Sequence, residues 1–167
     1  MKEPQERKPF FRDLDPNDFH EIYRQLPHPD WGAFPEGVGF GDFVSQVATM
    51  MTTPDVFLYI AMHGGEKVGV FSVVVDRSIG ASRVPSSLEV HAYWFHNIKG
   101  SVKFKCAVDF YKFLQSKNMQ VPLISVYKKK DLKYAKALAN KVNARLVSVE
   151  EEFFDDSDGY VYATGVH

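Results

Sequence analysis

The stretch Leu88-Glu89-Val90-His91-Ala92-Tyr93-Trp94-Phe95 decides the fold, because it has the aromatic and β-branched composition of a strand. A short loop over 96–100 follows it, then a helical pattern over about 101–117 and a second strand over 121–127. These segments form one strand-turn-helix-strand unit, and the rest of the chain is placed around it.

The predicted helix of this unit begins beside a cation and a glycine, Lys99 and Gly100. The first N–H groups of a helix have no partner within it, so an anion would be favoured there. The apolar face of the helix has three-to-four spacing and consists of Val102, Cys106, Phe110, Phe113 and Leu114. The polar face carries Lys103, Lys105, Asp109 and Lys112.

The composition indicates one globular domain. A chain of 167 residues with 45% hydrophobic content can bury one sizeable core, which predicts a flexible arm over 1–9 and a single domain over 10–167. The net charge of −1 argues against a general attraction to nucleic acids or acidic membranes. The lone Cys106 excludes an intramolecular disulfide and is expected in the core. Since no membrane span or signal peptide is recognisable, we expect a cytoplasmic protein.

Strands and helices are predicted on both sides of the central unit. Asp15-Pro16-Asn17-Asp18 is typical of a helix start with Asp15 as N-cap, and Gly64-Gly65 is typical of a hairpin turn. The other predicted elements are strands over 10–14, 56–62, 67–76, 144–153 and 160–166, helices over 39–51 and 132–143, and a turn over 155–159. In the helix over 39–51 the buried face is predicted to hold Phe40, Phe43, Val44, Val47, Ala48 and Met51.

The element order β-α-α-β-β-β-α-β-α-β-β predicts an α/β (α+β) fold with a mixed sheet of about seven strands and about four helices. From about residue 10 to 166 this order resembles the GNAT superfamily of N-acetyltransferases. Phe11-Arg12-Asp13-Leu14-Asp15-Pro16-Asn17-Asp18 is similar to that family's first strand and helix cap, and Glu66-Lys67-Val68-Gly69-Val70-Phe71 to its third strand. The resemblance implies that acetyl-CoA lies between the strands over 88–95 and 121–127. Its pyrophosphate would lie at the start of the helix over about 101–117, which follows the first of these strands. The cofactor-binding residues implied are Tyr93, Trp94, Phe95, Lys99, Gly100, Ser101 and Val102.

The phosphate loop departs from the family pattern Arg/Gln-x-x-Gly-x-Gly/Ala. In the register Lys99-Gly100-Ser101-Val102-Lys103-Phe104, the positions of the two small residues hold Val102 and Phe104, so the loop is degenerate. Close approach of phosphate to backbone favours small residues at such positions. An ordinary strand-to-helix turn with a solvated basic face is the alternative interpretation.

The chemistry of acyl transfer to an amine needs a base and an acid. Glu89 is the first candidate base and His91 the second, because alternate positions share one face of a strand; a pair of satisfied buried polar groups is the alternative. The resemblance places Ala139 where the family has the tyrosine that acts as the acid, and the candidate substitutes are Tyr134, one turn earlier, or Tyr127 at the strand end; packing is the alternative role of both. No metal is expected, since the six histidines lack ligand spacing.

Two functions are consistent with these residues and patterns. The first is an acyl-CoA-dependent N-acetyltransferase that acts on a small-molecule or protein amine. The second is a non-catalytic binding or structural module, for example a protein associated with the virion of a short-tailed phage, which would engage protein partners through Trp31, Phe34 and Tyr160. No nucleic-acid motif is present in the sequence.

Overall fold

The computed structural model describes residues 8–25, 37–76, 87–117, 122–126, 132–154 and 157–163. The helices and strands follow one another in the predicted order. They are β1 (Phe10–Asp13), a 3-10 turn (Pro16–Asp18), α1 (Phe19–Arg24), α2 (Phe40–Thr52), β2 (Val56–His63), β3 (Glu66–Asp76), β4 (Ser87–Trp94), α3 (Gly100–Ser116), β5 (Pro122–Val126), α4 (Leu132–Lys141), β6 (Arg145–Phe154) and β7 (Ser157–Ala163). Within the described ranges the fold is therefore α+β with four α-helices, as predicted.

The strands are hydrogen-bonded in the order β1-β2-β3-β4-β5-β7-β6. The sheet is mixed, because β4 and β5 are parallel whereas β1 with β2 and β7 with both β5 and β6 are antiparallel. By its contacts the chain forms two compact units, Met1–Val73 with His91–Cys106 and Val74–Val90 with Ala107–His167. Within the sheet, the structure describes side chains of the strands β1 to β4. The single domain over 10–167 stays a prediction.

In the first unit, α1 and α2 pack against one face of the strands. The cluster of buried side chains consists of Leu14, Phe19, Ile22, Phe43, Val47, Ile60, Val70 and Phe95. Phe19 and Phe43 meet edge to face, with ring centroids 6.2 Å apart, so α1 and α2 are joined by aromatic contact. The predicted buried face of α2 is correct except at Ala48, which is exposed.

The opposite face of the same strands carries a chain of aromatic rings. Phe11 meets Phe71 edge to face at 5.8 Å, and Phe71 meets Trp94 in the same way at 5.3 Å. Gly69 lies beside them, where a Cβ would stand 2.6 Å from the carbonyl oxygen of Tyr93. Only glycine permits this close approach of β3 to β4.

The start of the first helical segment has the predicted cap. The Asp15 side chain accepts a hydrogen bond from Asn17 N–H at 2.8 Å, and the Asp18 side chain accepts one from Asp15 N–H at 2.9 Å. This reciprocal pair is a capping box. The predicted helix begins as a 3-10 turn, and α-helical geometry starts at Phe19.

The turn between β2 and β3 is also as predicted. Gly64 and Gly65 have φ angles of 62° and 84°. A two-residue hairpin with both central residues at positive φ matches the right-handed twist of the strands, and glycine adopts it without a steric cost.

In the second unit, α4 ends in a Schellman motif. Asn143 has a φ of 56°, Ala144 N–H donates to the Ala139 carbonyl at 2.8 Å, and Asn143 N–H donates to that of Asn140 at 3.5 Å. Asparagine thus takes the left-handed position that glycine usually fills.

The hairpin predicted around 155–159 is confirmed by the antiparallel pairing of β6 with β7, but its predicted turn is wrong at residues 157–159; residues 155 and 156 lie outside the described residues. Ser157–Ala163 is strand β7, so the residues from Ser157 to Gly159 belong to a strand. Gly159 pairs with Glu150 of β6 next to an irregular register, which accommodates a glycine inside the ladder. The prediction for Cys106, by contrast, is confirmed, because this side chain is fully buried in the core.

Candidate functional site at the start of helix α3

The loop from β4 to α3 is held at both flanks. Phe95 is buried and its N–H donates to the Val68 carbonyl of β3 at 3.0 Å. Ile98 packs against the buried cluster of the first unit. Between these anchors the chain bends at Asn97, which has a φ of 61°. The loop therefore delivers the chain to the first turn of α3 in a defined direction.

The first turn of α3 has an open N-terminus. The carbonyl of Lys99 accepts from the Lys103 N–H at 3.0 Å, so Lys99 is the N-cap. A lysine side chain carries only hydrogen-bond donors and cannot cap the helix as Asp15 caps the first one. The amides of Gly100, Ser101 and Val102 precede the intrahelical hydrogen bonds and point out of the N-terminal end of the helix.

The space beside this turn is open and its charge is positive. No atom lies within 4 Å of the position that a Cβ would take at Gly100. Lys99 and Ser101 are exposed, and Val102 and Lys103 are half-buried. The helix dipole and the lysine charge act in the same direction, so this turn can bind an anionic group. Phe104, at the second degenerate position, is also half-buried.

The C-terminal half of β4 separates its predicted site residues onto two faces. His91 and Tyr93 share one face, with ring centroids 6.5 Å apart and planes 29° from parallel. Tyr93 packs against the buried cluster beneath α1 and α2, whereas Trp94 is buried against Phe71 on the other face. The Trp94 side chain is thus not open to a ligand.

Two predicted site residues belong to the second compact unit. The backbone of Glu89 is paired with Leu123 of β5, and its side chain lies outside the described part of the structure. Tyr134 lies on α4 with 40% of its surface exposed. Burial, and to a lesser degree the neighbouring Tyr134, raises the pKa of Tyr111, which is therefore a neutral phenol. His91, Tyr93 and the turn from Lys99 to Val102 belong to the same compact unit; the roles of Glu89 and Tyr134 stay predictions.

Neither a metal centre nor a membrane span is found among the described residues. In those ranges, no group of three or more His, Cys, Asp or Glu side chains is placed to hold a metal ion. None of the described helices combines the length and the apolar character needed to cross a bilayer.

Comparison with known proteins identifies the fold. No family model and no curated protein matches the sequence. Among solved structures, a spermidine N-acetyltransferase chimera of SpeG from Vibrio cholerae and hSSAT superposes with a TM-score of 0.69, over 95% of each chain and with 12% identity. The chain has the GNAT fold. The resemblance predicted from the element order is thereby confirmed at the level of the fold.

Other proteins with the GNAT fold give similar agreement. AAC(6')-Ib, solved with ribostamycin and coenzyme A, has a TM-score of 0.68 at 14% identity, over 95% of this chain and 93% of its own. RimL, a ribosomal L7/L12 alpha-N-protein acetyltransferase solved with coenzyme A, has a TM-score of 0.69 at 10% identity, over 96% and 95% of the two chains. These comparisons give no support to the alternative of a phage virion protein.

Sequence reasoning missed one contact at this site. The loop residue His96 is hydrogen-bonded to Gln25, 71 positions earlier in the chain. Neither residue belongs to a local motif, so no periodicity or spacing pointed to the pair.

Proposed function

We propose that this GNAT-fold chain binds an acyl-coenzyme A, with acetyl-CoA as the expected form, and transfers its acyl group to an amine. The observation that carries the proposal is the open, positively charged first turn of α3, in a fold whose solved examples include complexes with coenzyme A and acetyl-CoA. A diphosphate is the anionic group that this turn is proposed to hold.

The residues proposed to hold the coenzyme fit a diphosphate. The amides of Gly100, Ser101 and Val102 supply directed donors, and Lys99 supplies a mobile charge. The open space beside Gly100 lets phosphate oxygens approach the backbone. When bound, the coenzyme supplies the acyl thioester. The bulky Val102 and Phe104 are half-buried, and the Gly100 side of the turn is the proposed direction of approach.

The proton chemistry is proposed for side chains of β4 and α4. An attacking amine must lose a proton, and Glu89 or His91 is the proposed base. His91 contributes an imidazole on the face shared with Tyr93, at a half-buried position. Tyr134 is the proposed donor to the departing thiolate, because its phenol is partly exposed.

The acceptor is proposed to be an amine on a small molecule or a protein. Solved neighbours are named as a spermidine N-acetyltransferase and as an alpha-N-protein acetyltransferase, so both kinds of acceptor occur on this fold. The non-catalytic alternative predicts no turnover with either kind.

A charge placed at the first turn of α3 tests the coenzyme site. We expect acetyl-CoA to bind the wild-type chain in calorimetry, and Gly100→Asp to weaken binding at least about tenfold by repelling the diphosphate. Gly41→Asp is the matched control, because Gly41 also lies in the first turn of a helix with open space beside it. Both substitutions place a carboxylate where the helix dipole favours it, so neither should lower the melting temperature.

Two outcomes would contradict the proposal. One is the absence of both binding heat and a coenzyme adduct in native mass spectrometry of the wild-type chain. The other is equal affinity in the Gly100→Asp and Gly41→Asp variants. Release of free thiol in the presence of spermidine or an N-terminal peptide then distinguishes an enzyme from a binding module.

A further inference from the structure

Gln25 contacts the loop before α3 through two hydrogen bonds to one residue. The backbone N–H of His96 donates to Gln25 Oε1 at 2.7 Å, and His96 Nε2 lies 3.1 Å from the Gln25 carbonyl oxygen. A carbonyl oxygen only accepts, so Nε2 carries the proton. The main chain and the side chain of His96 are thus both bound by the same partner.

The position of Gln25 is itself fixed by α1. Gln25 is the C-cap of α1, and its N–H donates to the carbonyls of Ile22 and Tyr23. Ile22 is buried in the core, and the Tyr23 hydroxyl donates to the Val38 carbonyl at 2.8 Å. The imidazole of His96 meets a terminal carbonyl of the helix, which has no intrahelical donor. Gln25 is therefore a half-buried residue whose backbone is hydrogen-bonded to α1.

Gln25 contacts the loop between β4 and α3 at its exposed bend, residues 96 and 97. Phe95 and Ile98 are anchored to the core, but His96 and Asn97 are exposed, and Asn97 adopts the left-handed conformation that disfavours non-glycine residues. Without the contact to Gln25, the bend at residues 96 and 97 loses two of the hydrogen bonds that hold it. The direction of the amides at Gly100 to Val102 depends on that bend.

We infer that Gln25 is a positioning residue for the coenzyme. It holds the bend at His96 and so aims the first turn of α3 at the anionic group. This inference rests on the proposed function, because it concerns the same turn of α3. It adds the C-cap residue of α1, far from the phosphate loop in sequence, to the determinants of coenzyme affinity.

The test compares Gln25→Ala with two other variants. Gln25→Glu keeps an oxygen that accepts from the His96 N–H, and Gln46→Ala makes the same truncation at an exposed glutamine of α2. Amide hydrogen exchange, read at His96 without ligand, reports the contact directly. We expect Gln25→Ala to speed this exchange about fivefold to tenfold, the factor carried by one ordinary hydrogen bond. Gln25→Glu should restore the protection, and Gln46→Ala should leave it unchanged.

Coenzyme binding gives the second measurement. We expect Gln25→Ala to raise the Kd and the KM for acetyl-CoA about fivefold to tenfold, with kcat at saturating acetyl-CoA unchanged. The melting temperature should stay within two degrees of the Gln46→Ala control, roughly the resolution at which a local contact is separated from global stability.

The outcomes separate this inference from the proposed function. If the wild-type chain binds acetyl-CoA and Gln25→Ala binds it equally well, the positioning role is wrong and the coenzyme proposal stands. If exchange at His96 is the same in wild type and Gln25→Ala, the support itself is wrong. If the wild-type chain fails to bind, both the coenzyme proposal and the positioning role fail, and exchange at His96 still decides whether Gln25 holds the loop.

Discussion

Asp18 and Arg12 form a two-pronged ion pair, with Nη1–Oδ2 and Nη2–Oδ1 distances of 2.8 Å each. Lys67 Nζ reaches Asp18 Oδ1 at 2.8 Å, and the Asp15 N–H reaches Oδ2 at 2.9 Å. The Asp18 side chain is 2% exposed, so four donors replace the water that this carboxylate loses. One carboxylate thereby joins β1, the 3-10 turn and β3.

We expect Asp18→Asn to destabilise the protein by about 2–3 kcal/mol at pH 7. Loss of one member of a buried ion pair costs about 3–5 kcal/mol, and the cost is smaller here because Arg12 and Lys67 are partly exposed and can be rehydrated. Chemical denaturation measures the difference. Asp42→Asn, at an exposed carboxylate of α2, should change the free energy of unfolding by less than about 1 kcal/mol.

The same carboxylate makes stability depend on acid pH. Burial by itself raises the pKa of Asp18, but hydrogen bonds from Arg12, Lys67 and the Asp15 amide outweigh it and hold the pKa well below its ordinary value of 3.8. The unfolded state therefore binds the proton first, and the contribution of Asp18 is complete above about pH 5 and is lost as the pH falls below 3.8. The difference in unfolding free energy between wild type and Asp18→Asn should shrink between pH 5 and pH 3; a constant difference would contradict the assignment.

Arg12→Lys should destabilise the protein by about 1–2 kcal/mol although the charge is kept. A single ammonium cannot bond both carboxylate oxygens in the planar geometry that the guanidinium provides. Denaturant titration at pH 7 measures the loss. A variant as stable as wild type would show that the two-pronged geometry contributes nothing beyond its charge.

Gly69→Ala should destabilise the protein by about 1–3 kcal/mol, the usual cost of forcing an extra group into a packed region. Its Cβ would lie 2.6 Å from the Tyr93 carbonyl oxygen and 3.2 Å from the Trp94 ring, and neither backbone nor buried indole can move aside freely. Gly41→Ala is the control, since an alanine on the open side of α2 should stabilise by about 0.5–1 kcal/mol. Opposite signs in thermal unfolding are the expected result.

Asn143→Gly should stabilise the protein by about 0.5 kcal/mol, and Asn143→Ala should destabilise it by about 1 kcal/mol. Asn143 occupies the left-handed position of the Schellman motif, where a Cβ without a compensating polar group is costly and glycine is not. Melting temperatures of wild type, Asn143→Gly and Asn143→Ala, measured side by side, give the order of stability. Equal melting temperatures would mean that the end of α4 frays before unfolding.

The two candidate bases are distinguished by their effect on turnover. We expect Glu89→Gln to lower kcat by about 10²–10⁴ with little change in the Kd for acetyl-CoA, and His91→Gln to lower it less. A larger loss of kcat in His91→Gln than in Glu89→Gln would make His91 the main base. Unchanged kcat in both variants would remove β4 as the source of the base.

The sequence predicts those elements whose causes are local. The capping box at Asp15 and the hairpin at Gly64-Gly65 follow from residues within a few positions of each other, and neither requires a tertiary contact to be recognised. The prediction that Ala48 is buried is wrong because helical spacing places a residue on a face of the helix but does not show how far the opposing core extends.

The rest depends on contacts between distant residues. The sequence predicts Asp18 as a carboxylate at a helix start, but its burial against Lys67 depends on strand pairing that no local pattern reports. The same holds for Gln25 and His96. The low strand propensity of Asp158-Gly159 favours a turn, and pairing with β6 overrides that propensity.

The two-residue turn at Gly64-Gly65 has a consequence for how the chain folds. It leaves almost no loop to close, so β2 can meet β3 within the roughly 1–10 μs in which hairpins form. Leu88 and Pro122, by contrast, become neighbours only after the intervening α3 crossover has formed, which makes their parallel pairing a late event. We therefore expect the β2–β3 hairpin to be the folding nucleus of the first unit, and substitutions in its turn to slow refolding more than they speed unfolding.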